Sequence, residues 1–294
     1  MNTKRTTFPG SWLPALLLLP QLAITGVFFF MPAAQAVWSS VLREDAFGTR
    51  KEFIGLANFS RLFADPTYLT SAGTTLVFSL AVALSALSLA LALAVVTDSL
   101  TRGQTIYRTL LVWPYALAPA VAGVLWLFIF HPTVGVGAKA INAFGIRWNP
   151  NLNGTHALIL VITAAAWKQI SYNFLFFLAG LQAIPKSLIE AAALDGAGAF
   201  TRFRHIILPL LMPTTFFLIV VNMIYAFFDT FGVIHATTGG GPGQATSILV
   251  LRVYRDGFEG LDLGLSAAQS VVLLFVVGAL TIIQFRTIER RVTY

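Results

Sequence analysis

The stretch EAAALDGAGAFTRFRHIILPLLMP, residues 190–213, interrupts two long apolar runs with acids, bases, glycines and prolines. The chain around it is 57% hydrophobic and 11% charged, holds 25 phenylalanines and has a mean hydropathy of +0.78. A water-soluble domain of 294 residues has to place charge over its surface, and this chain has little to place. Lipid admits only helices and closed barrels, because every backbone N–H and C=O must find its partner within the protein. Barrel strands read as segments of roughly 10 residues with alternating polarity, whereas the apolar runs here are long and unbroken. The sequence predicts an all-α, polytopic membrane protein.

Working outward from residue 190, charge-poor windows locate six spans, at about 12–32, 70–97, 109–130, 157–181, 207–228 and 263–285. Each has the roughly 20 apolar residues that cross a bilayer. Together they form one membrane domain over 1–294, with residues 182–208 as the loop between the fourth and fifth spans. Lys4 and Arg5 before the first span and Ala34-Gln35-Ala36 after it imitate a signal peptide. Its apolar part exceeds the roughly 7–15 residues of a signal core, so it reads as an uncleaved anchor.

Six spans put both termini on one side of the membrane. On that side fall Lys4, Arg5, Arg102, Arg108, Lys186, Arg202, Arg204, Arg286, Arg290 and Arg291. On the other fall Arg43, Arg50, Lys51, Arg61, Lys139, Arg147, Arg252 and Arg255, cancelled by acids that include Asp45, Asp65 and Asp262. The excess, with Glu289 among its few opposing acids, makes the terminal side the cytoplasmic one by the positive-inside rule. The net charge of +7 is thus a topology signal. No basic run of five or more residues exists to suggest nucleic acid. There are no cysteines, and His131, His156, His205 and His235 are scattered without ligand spacing, so no metal site is expected. Asn153-Gly154-Thr155 has glycosylation spacing by chance.

Read locally, Ser187-Leu188-Ile189-Glu190 is a capping box, with Ser187 as N-cap and Glu190 reaching back to it. Gly196 is placed to end that helix, and Leu208-Pro209 opens the next span after a second amphipathic turn. Pattern alone leaves a well-capped helical hairpin on the cytoplasmic surface as an equal reading. The spacing Glu190-Ala191-Ala192, Gly196, Ile206, Leu208-Pro209, with Asp195 and Ala197, resembles the EAA loop of sugar-type ABC-importer permeases. That resemblance implies a type I importer fold in which the loop is a coupling helix docking on a separate ATPase. It also implies a second homologous permease, a pair of identical ATP-binding subunits, an external solute-binding protein and the bacterial inner membrane. ATP and Mg²⁺ would be used by the partner, and no G-x-x-x-x-G-K-[ST] loop occurs in this chain.

The run from Trp167 to Phe177, the run Asn222 to Phe231, and Trp113-Pro114-Tyr115 resemble the permeases of glycerol-phosphate importers within that family. Gly239-Gly240-Gly241-Pro242 is similar to the outer loop of the sugar-type group as a whole. The resemblance implies sn-glycerol-3-phosphate as substrate and leaves a neutral sugar, an oligosaccharide or a glycerophosphodiester open. Lys168 is the basic residue inside a span. Such a charge faces a polar pathway or a partner, and a phosphate would want it. Counting back from Gln182, however, places Lys168 near the outer end, within snorkelling reach. Tyr172 shares its face and Asn173 sits on the flank. Asn222, Tyr225 and Asp229 form a polar stripe on the fifth span, lining a pathway or cementing helices, with Asp229 a partner for Lys168. A secondary transporter would carry more carboxylates in its spans. An enzyme would need a convergent acid, base or metal cluster. Neither pattern is visible.

Overall fold

The computed structural model describes residues 12–44, 49–100 and 102–288. Lys4, Arg5, Asp45, Glu289, Arg290 and Arg291, counted above in the charge balance, lie outside these. Among the described residues, five helices are long and apolar enough to span a bilayer: α1 (Pro14–Ser40), α2 (Pro66–Ser99), α5 (Gly154–Ala183), α7 (Met212–Asp229) and α8 (Leu263–Ile288). A sixth span is a bent pair, α3 (Gln104–Val112) with its 3₁₀ extension Trp113–Ala116, and α4 (Pro119–Ile129), the two halves meeting at 106°. The expected straight span over 109–130 is therefore broken. The reason is local: Pro114 and Pro119 each remove a helix donor, and Ala118 before Pro119 is extended.

Caps set the ends of the two central helices. The Asp65 carboxylate accepts from the Thr67 N–H at 2.8 Å with Pro66 at the first helical position. Asn153 accepts from the N–H groups of Thr155 and His156 at 2.9 and 3.1 Å. The Asn153-Gly154-Thr155 triplet thus serves as a helix start, and α5 begins before the expected 157.

α2 and α5 run parallel and pack along their length as the bundle's axis, Phe78 and Val82 clustering with Val161 and Ala165, and Ala90 and Ala94 with Phe174 and Leu181. The buried face of α2 carries small residues, Ser71, Thr75, Ser79, Ala83, Ala86, Ala90 and Ala94, at helical spacing, with Tyr68, Phe78 and Val82 as its larger members. Between lipid tails there is little hydrophobic drive for helices to associate, so close van der Waals contact between small side chains carries the interface. One apolar cluster sits at the Ser99 end of α2, joining Ala90 and Ala94 to Phe174, Phe177, Leu181, Ile184 and Leu211. Another gathers at the Asp65 end around Leu62, Tyr68, Phe227, Leu249 and Leu265.

α1 leans on α8 through its Met31–Ser40 part, while its spanning segment leaves leucines and phenylalanines outward. The helix runs on to Ser40, past the expected 32. After it, Leu42–Glu44 (β1) and Lys51–Phe53 (β2) pair antiparallel, Leu42 opposite Phe53, a short ribbon in an otherwise helical chain. The Asn58 amide donates to the carbonyls of Ser40 and Leu42, both at 2.9 Å, pinning this ribbon to the bundle. The end of α8 lies at the same end of the bundle as residues 184–211, the Phe285 ring meeting that of Phe216 at 5.1 Å.

Candidate functional site

After α5, the chain turns at Ile184-Pro185 into α6 (Lys186–Leu194). Pro185, not Ser187, occupies the N-cap, and no side chain caps the helix, so the predicted capping box does not form. Proline at this position already fixes the entry geometry and leaves Ser187 inside the first turn. The C-terminal prediction holds: Gly196 is left-handed at φ +83°. The Ala197 N–H reaches back to the Ala192 carbonyl at 2.9 Å and Gly196 N–H to Ala193 at 3.1 Å, a Schellman closure. The chain resumes as a helical turn at Ala199–Arg202 and a π turn at Phe203–Ile207, then Leu208–Leu210, before α7 starts at Met212 rather than 207. Arg202 donates to the Ala197 carbonyl at 2.9 Å, tying the second turn to the first.

Glu190, Ala191, Asp195, Gly196 and Pro209 are exposed, and Ala192, Ile206 and Leu208 are half-buried. Ile189 and Ile207 root the segment in the apolar cluster beneath it. Two apolar side chains that pattern reading did not single out project from it, Leu194 at 90% exposed and Phe200 at 75%. A lone apolar residue inside an amphipathic turn carries no sequence signal of its own orientation.

The polar residues of the spans divide into two groups. Asn173 and Asn222, both fully buried, exchange amide hydrogen bonds at 3.1 and 2.8 Å, and Asn222 also donates to the Leu218 carbonyl. They clamp α5 to α7. The other group faces a cavity of about 320 Å³ lined by Tyr115, Gln169, Tyr172, Val221, Ile224, Tyr225 and Asp229. The Tyr225 hydroxyl donates to the Ala165 carbonyl at 3.2 Å. The Tyr115 and Tyr172 rings lie 5.5 Å apart. Tyr115 and Gln169 are additions to the sequence reading. Tyr115 enters only because the third span breaks beside it.

Lys168 borders this cavity. It stands midway along α5, 8% exposed, and so does not reach for a helix end as the snorkelling alternative required. Its Nζ donates to the Tyr115 carbonyl at 3.1 Å and lies 5.2 Å from the centre of that ring. Asp229 lines the same cavity but forms no ion pair with Lys168, whose ammonium donates to the Tyr115 carbonyl.

The opposite end of the bundle is closed by polar contacts. Arg252 pairs with Asp65 and Thr67, Gln269 donates to Asp256, and Arg61 meets Asp262 at 2.6 Å. Arg255 donates to the carbonyl of Gly239, at the start of a loop where Gly239, Gly240, Gly243 and Gln244 all take positive φ.

The family described as "Binding-protein-dependent transport system inner membrane component" matches residues 101–294. The chain belongs to that family. Its members are permease subunits of ABC importers, multi-pass proteins of the inner membrane. The chain is 60% identical over 291 residues to the sn-glycerol-3-phosphate transport system permease protein UgpA of Rhizobium meliloti (strain 1021), covering 99% of each. It is 56% identical over 294 residues to the protein of the same name from Yersinia pseudotuberculosis (serotype I, strain IP32953), covering 100% of each. In fold it is similar to a chain of a bacterial ABC transporter that imports the acidic polysaccharide alginate, with a TM-score of 0.82, 20% identity and 96% of both chains covered. The chain thus has the permease fold of an ABC importer.

Proposed function

We propose that this chain is the permease subunit of an ATP-driven importer of sn-glycerol-3-phosphate. The observation that carries the reading is identity of 56–60% along the whole chain to permeases that bear that name. In this reading ATP and Mg²⁺ are handled by a pair of identical partner ATPase subunits. A second homologous permease completes the pathway, and a solute-binding protein delivers substrate from outside. The termini and the Glu190–Pro209 loop face the cytoplasm. Glu190, Ala191, Ala192, Asp195, Gly196, Ile206, Leu208 and Pro209 form the coupling loop. A short helix stiffened by a Schellman closure and rooted through Ile189 transmits a rigid-body push, which a loose loop would absorb.

The cavity is the substrate path. Tyr172, Tyr225 and Asp229 line it, Lys168 offers the cation that a phosphate requires, and Asn173 and Asn222 hold its two walls in register. The test is uptake of labelled sn-glycerol-3-phosphate by the complex reconstituted with its own partners. Excess maltose, glycerophosphocholine and inorganic phosphate serve as challengers. Uptake blocked only by glycerol phosphates is the expected result. Inhibition by maltose overturns the substrate in favour of a neutral sugar, and preferential inhibition by glycerophosphocholine in favour of a phosphodiester.

A further inference from the structure

In an unbroken helix the N–H of residue 119 would donate to the carbonyl of residue 115. Residue 119 is proline and has no N–H, and Ala118 before it is extended at φ −60°, ψ 142°. The Tyr115 carbonyl is thereby stranded at the C-terminal end of a half-helix, where the backbone carries partial negative charge. An ammonium group is a favourable partner for such an end, and the Lys168 ammonium, reaching across from the middle of α5, donates to this oxygen. Directly beside the contact lies the cavity walled by Tyr115, Gln169, Tyr172, Tyr225 and Asp229.

We propose that Lys168 is a displaceable cap on the broken third span. An anionic group in the cavity competes with the Tyr115 carbonyl for the ammonium, and on winning it frees the break between Trp113 and Ala118. The inference rests on the substrate reading above and adds what the substrate does on arrival. The bond to the neutral carbonyl is already charge-assisted, and a phosphate oxygen adds the attraction between two full charges to it, so the exchange favours the anion. Asp229, facing the same cavity, repels that anion and keeps the exchange reversible, as a transport site needs.

The parts on either side of the break are stiff, which confines the motion to it. Gly123 of α4 sits so close to Val233 and Thr237 that a Cβ there would lie 2.7 Å from the Val233 carbonyl oxygen. α4 therefore moves as one body with the short helix Phe231–Thr237. The helix across the contact, α5, carries Lys168 and ends at Ala183, three residues before the Lys186–Leu194 helix starts. The cap is thus a direct tie between the substrate cavity and the element that roots the coupling loop.

The test uses the assembled importer in lipid vesicles. The chain has no cysteine, so Leu110→Cys and Phe128→Cys, both exposed and on opposite sides of the break, carry spin labels whose separation reports its angle. Retention of labelled glycerol-3-phosphate is measured in parallel. Glycerol-3-phosphate is expected to shift the distance distribution, and glycerol is not. Lys168→Met is expected to show the shifted distribution without ligand and to lose on the order of tenfold to a hundredfold in anion retention. Pro119→Ala returns an N–H to the Tyr115 carbonyl. It is expected to retain the anion while losing the shift, and it decides alone if Lys168→Met does not assemble. Anion retained by the unsubstituted chain with an unchanged distance distribution overturns the cap and leaves the substrate reading standing. No retention of glycerol-3-phosphate by the unsubstituted chain overturns both.

Discussion

The two ends of this bundle answer the same physical problem in opposite ways. At the Asp65 end, Arg252 pairs with Asp65 and Thr67 at the start of α2, Arg61 with Asp262, Gln269 with Asp256 and Arg255 with the Gly239 carbonyl, so these arginines find partners within the chain. At the other end, the Glu190 loop satisfies its own backbone through the Gly196 closure and then points Leu194 and Phe200 into solvent. Backbone order without side-chain burial is a poor bargain for a free loop, because ordering residues has an entropic cost that no local burial offsets. It makes sense when a partner supplies the burial. The comparison teaches that one end pairs its charges within this chain, while the other leaves apolar side chains uncovered, which the coupling-loop proposal assigns to the ATPase.

The strongest way to break that comparison is to charge the exposed knobs. Leu194→Asp and Phe200→Asp should each weaken association with the ATPase subunit by about tenfold or more, the effect of a docking hot spot. Thermal stability should barely move, since surface changes of this kind fall within roughly 0.5 kcal/mol. Pull-down of the ATPase, crosslinking from the loop to it, and a melting curve of the permease separate the two outcomes. Crosslinks to the cytoplasmic ATPase would also fix which way the bundle faces. A melting point that drops in step with association would mean that the knobs serve this chain's own fold. Arg61→Ala at the other end is the control, and should leave ATPase association untouched.

Much of this was legible in the sequence, and the reasons are specific. The spans are read from hydropathy because lipid enforces composition along a whole helix. Gly196 was readable because only a residue without Cβ takes its φ of +83° easily. The Ser187 cap was misread because two rules competed at adjacent positions, and Pro185, which needs no side-chain hydrogen bond, set the helix start. The break at Trp113–Ala118 was missed because an apolar window over 109–130 hides two prolines whose effect is conformational and not compositional. Missing it also meant missing Tyr115, and with it the acceptor that Lys168 uses in place of Asp229.

A smaller effect sharpens the contrast between the two kinds of polar residue in the spans. Asn173→Leu and Asn222→Leu each leave a buried amide without its partner. Each should destabilise the bundle by about 1 kcal/mol, the usual range for hydrogen bonds between helices in membranes. The double substitution should cost less than the sum of the singles, because no orphaned amide remains. A double-mutant cycle on detergent-induced unfolding reads this directly. If instead the singles alter substrate preference and leave unfolding unchanged, the asparagines belong to the path and not to its frame.

The smallest expected effect lies at the end that pairs its own charges, in the acid response of Asp65. Burial raises its carboxyl pKa, but the hydrogen bonds from Thr67 and the Arg252 guanidinium outweigh that and hold it below the ordinary value. A carboxyl depressed in the fold contributes stability that is present above the unfolded value, about 3.9, and is lost as pH falls through the folded one. Unfolding measurements should therefore be flat with respect to this group from neutral pH down to about pH 4 and decline only below it. Asp65→Asn keeps an acceptor for the helix N-terminus but loses the charge that Arg252 meets. Because the carboxylate is half-buried at the protein surface, where solvent screens the pair, the loss at neutral pH should be no more than about 1 kcal/mol. The clearer signature is a shallower decline below pH 4 in Asp65→Asn than in the unsubstituted chain. Equal acid limbs would mean that the Asp65–Arg252 contact is incidental, and that α2 is held at this end by the cluster of Leu62, Tyr68 and Leu265 beneath it.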